Sequence, residues 1–202
     1  MTARTDDHHL STKREWRRAI LASRRALDPA VRAERAVALT DGALALAAAI
    51  GGPVCAYLPV GTEPWSPAGV EALRAAGHEV LLPVVPPQRG PLDWARYDGP
   101  ASLAEGPIGL REPSGVRLGP SAVARARLIL VPGLAADRRG VRLGRGAGHY
   151  DHTLPLVGPD VPLVIVIDDD ELVDVLPAEP HDHPMSAALL PAGGHTLLGK
   201  NG

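Results

Sequence analysis

One cysteine, Cys55, occurs in 202 residues. No intramolecular disulfide framework can form, and the fold must rest on a packed core, as suits a reducing cytoplasm. Cys55 lies in the apolar run Val54-Cys55-Ala56-Tyr57-Leu58, where a buried structural thiol is a better reading than a nucleophile. No apolar run approaches membrane-spanning length, and the N-terminus lacks the apolar core of a signal peptide. Neither GxxxxGK[ST] nor a GxGxxG at a strand–helix junction is present, so the two usual nucleotide fingerprints are excluded. No Ser-His-Asp or reactive-cysteine constellation stands out, and no repeat or long low-complexity tract occurs. A net charge of −2, with the arginines scattered, gives no reason to expect nucleic acid. Lysine is nearly missing: only Lys13 and Lys200 stand against nineteen arginines. Lys13 is therefore conspicuous, because an ammonium reaches a phosphate oxygen as a compact charge without a planar fork. An ordinary exposed lysine is the other reading.

Hydrophobic residues make up 45% of the chain and charged residues 22%, an ordinary globular balance for one α/β domain. A polar, disordered arm is expected over residues 1–10, a domain over 11–190 and a loose, glycine-rich tail over 191–202. Within the domain a helix is expected from Ser11 or Thr12 to Leu27. A second runs from the cap Asp28-Pro29 to Ile50 and ends at Gly51-Gly52-Pro53. Val54–Leu58 reads as a strand, Ser66-Pro67 as the cap of a helix ending at Gly77, and Glu79–Leu82 as a second strand. Leu92–Tyr97, the Leu128 run and Val161–Ile167 complete the strands, with a short helix after Gly148. Strands alternating with helices predict a three-layer sandwich, its central sheet mostly parallel and helices on both faces.

The most informative stretch is Leu128–Asp151, LILVPGLAADRRGVRLGRGAGHYD. An apolar strand halts at Pro132-Gly133. A loop follows with Gly144, Gly146 and Gly148 at alternate positions, interleaved with Arg138, Arg139, Arg142 and Arg145, and closed by Tyr150-Asp151. Glycines let backbone N–H groups approach a phosphate, guanidinium groups pair with its oxygens, and an adjacent Asp suits magnesium. A polyphosphate cradle and a plain Gly/Arg surface loop are equally open on residue types alone.

Those residues also carry a family resemblance. Pro132-Gly133, Asp137, Gly140, Arg142-Leu143-Gly144, Gly146, Gly148, Tyr150 and Asp151 resemble, at unbroken spacing, the signature of the 5-formyltetrahydrofolate cyclo-ligases, or methenyltetrahydrofolate synthetases. Ala136 stands where an aromatic is common, His149 replaces the first of an aromatic pair, and His152 sits where Arg often follows the Asp. Weaker similarity extends from about Lys13 to Asp182. Lys13 and Arg17, four residues apart on one helix face, match the family's pair of phosphate cations; a solvated basic face is the alternative. Tyr57–Glu63 is similar to the strand and following glutamate with which the family recognises folate, although Trp65-Ser66 departs from it. Gly109-Leu110-Arg111-Glu112-Pro113 resembles a Gly-x-x-Glu-Pro turn whose glutamate is either a structural cap or a ligand. Glu179-Pro180-His181-Asp182 looks like the closing segment whose aspartate helps bind metal. The run Asp168–Asp170 reads better as a strand-end turn than as a magnesium cluster.

The resemblance implies a compact α/β sandwich that uses ATP and Mg2+ to cyclise 5-formyltetrahydrofolate to 5,10-methenyltetrahydrofolate through a phosphorylated imidate, without a protein nucleophile. It implies catalytic roles for Lys13, Arg142 and Arg145. The nucleotide would lie on Lys13, Arg17, Arg142, Leu143, Gly144, Arg145, Gly146, Ala147, Gly148 and Tyr150. Folate would lie on Leu58, Glu63 and Tyr150, and the metal on Asp151 and Asp182. The implied partners are small molecules rather than nucleic acid or membrane; oligomeric state is not legible. Two alternatives stand beside this reading: a non-catalytic nucleotide- or folate-binding homologue, and another ATP or sugar-phosphate enzyme on a similar scaffold.

Overall fold

A computed structural model describes residues 12–106, 109–180 and 182–199; the expected polar arm over 1–10 lies outside them. In chain order the elements are α1 (Lys13–Ala26), α2 (Pro29–Ile50), β1 (Val54–Cys55), α3 (Pro67–Ala75), β2 (Val80–Val84), β3 (Asp93–Arg96), β4 (Leu103–Glu105), β5 (Arg111–Pro113), β6 (Leu128–Pro132), β7 (Ala135–Asp137), β8 (Arg142–Leu143), α4 (His149–Thr153), β9 (Leu163–Val166), β10 (Leu172–Val173), β11 (Ala187–Leu190) and β12 (Gly194–Leu197).

The helices begin where capping chemistry places them. Thr12 and Glu15 form a reciprocal capping box on α1. Asp28 accepts the N–H of Ala30, with Pro29 opening α2. Ser66 caps α3, whose first residue is Pro67.

The main sheet has the order β12-β11-β9-β6-β1-β2-β3. Its five central strands, β11 to β2, are mutually parallel, and an antiparallel strand closes each edge. α2 and α3 cover one face, where Leu39, Ala43, Val70 and Leu73 pack on Val54, Val80, Leu128 and Val164. The opposite face buries Cys55, Leu81, Ile129 and Ile165 beneath Val123, Ala126, Leu154 and Met185, which short 3₁₀ turns, the end of α4 and loops supply. Ala136, the missing aromatic of the signature, is fully buried there. The expected α/β architecture is therefore present, with one face helical in full and the other in short pieces.

The loose tail expected from residue 191 is not what forms. Gly194–Leu197 pairs in register with Ala187–Leu190 as an edge strand. The Gly193-Gly194 step makes the tight return, Gly194 at φ 60°, as glycine pairs do in short hairpins.

Two further features position the site. The chain runs from β1 to β2 on one side and later returns to β6 on the other, so the loops beyond the carboxyl ends of β1 and β6 diverge and leave a crevice between them. Beside it, β10-β7-β8 form a small sheet. α1 lies on that sheet through Ile20, which packs with Leu134, Ala135, Leu143 and Leu176.

Candidate active site

The crevice is a cavity of about 680 Å³. α1 contributes Lys13 and Arg17, the loop after β1 contributes Leu58 and Glu63, and the β8–α4 segment contributes Arg142 through Asp151. Asp182 and Glu179 come from the segment before β11. Each residue that the resemblance assigns to nucleotide, folate or metal is among those lining it, whereas Arg138 and Arg139 of the same loop are not and pair with Asp174 and Asp137 instead.

The charged groups are arranged as cation–carboxylate pairs. Lys13 Nζ lies 2.6 Å from Glu179 Oε2 and 2.9 Å from both oxygens of Asp182. Burial opposes the Lys13 charge, but these two carboxylates outweigh it and hold the ammonium above its ordinary value. Arg142 donates to Asp151 Oδ1 at 2.9 Å and to the Pro132 carbonyl at 3.2 Å, with its guanidinium 5.4 Å from the centre of the Tyr150 ring. Arg145 donates to Glu63 Oε1 at 3.2 Å and to the Val60 carbonyl at 3.1 Å. Glu63 in turn accepts the Val60 N–H at 3.0 Å. Burial raises the Glu63 carboxyl above its ordinary value; the Val60 N–H and Arg145 oppose this without cancelling it. Arg17 reaches across to the Gly144 carbonyl at 2.9 Å.

The loop backbone needs its glycines. Gly146 and Gly148 have φ of 101° and 79°, a region that L side chains seldom occupy. Gly148 is the residue before α4. The hydroxyls of Tyr57 and Tyr150 are buried at the cavity without a hydrogen-bond partner. Burial pushes both phenols well above their usual range, so they stay neutral donors available to a ligand.

The sequence model of the 5-formyltetrahydrofolate cyclo-ligase family matches residues 9–191. A protein of Mycolicibacterium smegmatis named 5-formyltetrahydrofolate cyclo-ligase is 44% identical over 191 residues, 93% of this chain and 97% of that one. The chain belongs to the 5-formyltetrahydrofolate cyclo-ligase family. A protein of the same name from Escherichia coli is 32% identical over 125 residues, covering 61% of this chain and 69% of its own. Among solved structures, the 5,10-methenyltetrahydrofolate synthetase of Aquifex aeolicus superposes with a TM-score of 0.71 at 25% identity, over 94% of both chains. That of Mycoplasma pneumoniae, at 19% identity, shares the fold with a TM-score of 0.69, over 88% of this chain and 98% of its own.

Where this cyclo-ligase-family chain departs from the signature, the structure shows what the substituted residues do. His149 Nδ1 lies 3.0 Å from the Gly90 carbonyl and ties α4 to the loop before β3. His152 is exposed and is not among the lining residues. Trp65 is buried against Tyr57 with its Nε1–H on Thr40 Oγ1, a packing role rather than a ligand face. Glu112 lies in β5 rather than in a turn; it lines the cavity while its Oε1 accepts the N–H of Val85, just beyond β2, at 2.9 Å. Asp168 opens a capped 3₁₀ turn. Asp137 is fully buried and belongs to the scaffold. Sequence reasoning passed over Tyr57, Arg89 and Glu179 as lining residues. Arg89 sits in a Pro/Gly-rich stretch and Glu179 pairs with a residue 166 positions away, so local spacing carried no signal for either.

Among the described residues no three His, Cys, Asp or Glu side chains cluster as a metal cage. The two carboxylates assigned to metal sit apart from each other in the pairing, Asp151 on Arg142 and Asp182 on Lys13. This donor set fits a nucleotide-borne magnesium ion, which takes one or two carboxylates and fills its remaining positions with phosphate oxygens and water.

Proposed function

We propose that the protein catalyses the ATP-dependent closure of 5-formyltetrahydrofolate to 5,10-methenyltetrahydrofolate, releasing ADP and phosphate. One observation carries this reading: fourteen residues spread from Lys13 to Asp182, chosen for phosphate, metal and folate chemistry, line one cavity at the carboxyl ends of β1 and β6.

The chemistry needs little from a protein nucleophile. The formyl oxygen attacks the γ-phosphorus of ATP and ADP leaves, so the poor leaving group becomes a phosphate ester. N10 then attacks the formyl carbon, loses its proton and expels phosphate as the ring closes. The protein's contribution is to hold the γ-phosphate and the formyl oxygen in line and to neutralise the transferred charge. Lys13, Arg17, Arg142 and Arg145 face the space such a group would occupy, and the N–H groups of Gly144 to Gly148 provide further donors. Asp151 and Asp182 would hold Mg2+, which when bound screens the phosphate oxygens. In the free protein the same cations are occupied by carboxylates or carbonyls, and incoming phosphate oxygens replace those partners. Glu63, ionised, would accept two N–H bonds from the aminopyrimidine edge of the pterin. Tyr150 and Leu58 would bound that ring.

The test is absorbance in the methenyl-folate band after mixing the protein with 5-formyltetrahydrofolate and MgATP. A rise that requires both ATP and magnesium is expected. No rise while ATP still binds would instead favour a non-catalytic homologue.

A further inference from the structure

α1 carries Lys13, Arg17 and Arg24. Steps of four and seven residues bring all three to one stripe of the helix. The first two face the cavity, whereas Arg24 is only 3% exposed. Its guanidinium forms a two-point pair with Glu171, Nε to Oε1 at 2.6 Å and Nη2 to Oε2 at 2.7 Å. Nη2 also donates at 2.8 Å to the carbonyl of Gly133, the residue at which the chain leaves β6 and which itself lines the cavity. Glu171 is fixed in turn by the N–H of Asp168 at 2.9 Å, just beyond β9. Arg24 therefore joins the helix bearing the cations to the carboxyl ends of two neighbouring strands, β6 at the cavity and β9 beside it.

The apolar seat of α1 is small, consisting of Ile20 flanked by Trp16 and Leu21. The rest of its attachment includes three cation anchors: Lys13 on Glu179 and Asp182, Arg17 on Gly144, and Arg24 on Glu171 and Gly133. The first two are the contacts that phosphate would take over. The third is sealed from solvent and cannot be exchanged. We infer that Arg24 and Glu171 are positioning residues for nucleotide binding: their pair holds α1 in register with the glycine loop while Lys13 and Arg17 change partners. The inference rests on the proposed nucleotide role of those two cations.

Removing one member alone strands a buried charge and threatens the fold, whereas replacing both by apolar groups of similar size is often neutral to stability. The informative variant is therefore Arg24→Met with Glu171→Leu, compared with Arg24→Lys, which keeps a charge on Glu171 but lacks the fork that also reaches Gly133. Thermal melting checks the fold, and calorimetric titrations with MgATP alone and with 5-formyltetrahydrofolate alone read each ligand separately. The double variant is expected to remain folded but melt a few degrees below the wild type, because the Asp168 N–H and the Gly133 carbonyl lose their partners. It is expected to bind MgATP about tenfold more weakly and to bind folate within about twofold of the wild type, since small displacements of positioned groups are costly. Arg24→Lys is expected to fall between the two, and it carries the same comparison if the double variant does not fold. Wild-type MgATP affinity in the folded variants, or an equal loss for both ligands, overturns the positioning role. A wild type that binds MgATP more tightly than the variants yet forms no methenyl product sinks the proposed reaction and leaves the positioning role standing. A wild type that does not bind MgATP sinks both.

Discussion

The two halves of the segment from Pro132 to Asp151 contain the same kinds of residue and are used in opposite ways. In the first half Asp137 is fully buried and its oxygens accept the N–H groups of Arg139, Val141 and Leu176, besides the Arg139 guanidinium. A carboxylate has about four acceptor positions, and these contacts fill them. In the second half Asp151 holds a single ion pair with Arg142, and Arg145 holds Glu63 across the cavity. What separates scaffold from site is spare bonding capacity rather than residue type. A carboxylate saturated by buried backbone donors, like Asp137, cannot turn to a ligand, whereas one held by a single partner at the cavity, like Asp151, can.

The largest effect is expected where the difference is sharpest. Lys13→Ala and Asp151→Ala should each lower kcat by about 10²–10³-fold, the scale of losing one preorganised charge partner of a transition state, while the melting temperature shifts little. An Asp151→Ala protein that melts early and turns over normally would erase the distinction. Asp137→Ala is the mirror case: it leaves several buried N–H groups unpaired and should cost roughly 3 kcal/mol of stability in a denaturant titration, with the KM for ATP in the folded fraction near wild type.

Next in size is Glu63→Gln, expected to raise the folate KM about tenfold through the lost charge-assisted bonds and to leave the ATP KM nearly unchanged. Because burial raises the Glu63 carboxyl, the native protein takes up its proton at a higher pH than the ordinary 4.5. Folate use should therefore fail on the acid side above that value, and a pH profile of kcat/KM for folate should lose this limb in Glu63→Gln. The linked stability term has the opposite sense: the fold favours the neutral acid, so that contribution is complete below 4.5 and disappears as pH rises through the raised value. The smallest effect belongs to Gly148→Ala. A side chain at φ 79° costs on the order of 1 kcal/mol, and its Cβ would lie 2.7 Å from a mobile Arg89 nitrogen.

Much of this was legible in the sequence because the signals are local. Asp28-Pro29, Ser66-Pro67 and the Thr12–Glu15 box announce helix starts by backbone chemistry, and the apolar runs at Val80 and Leu128 announce central strands. The edge strand Gly194–Leu197 was misread because a short, glycine-flanked, half-exposed segment gains its strand character from pairing with Ala187–Leu190 rather than from its own composition. In the site, the unbroken spacing from Arg142 to Asp151 identified one wall. It did not show that Lys13 meets Asp182, or that Arg145 meets Glu63, since these pairs join distant parts of the chain. Nor did the signature separate Asp137 from Asp151, because both are fixed by the same motif and only burial distinguishes them.

Cys55 is sealed in the centre of the sheet at 0% exposure, and burial holds its thiol far above the ordinary range. The native protein thus offers maleimide reagents no accessible thiol. A cysteine introduced at the cavity rim, for example at Arg89, becomes a unique attachment point for a fluorophore. Ligand entry, partner exchange and release can then be followed optically in an otherwise unaltered chain.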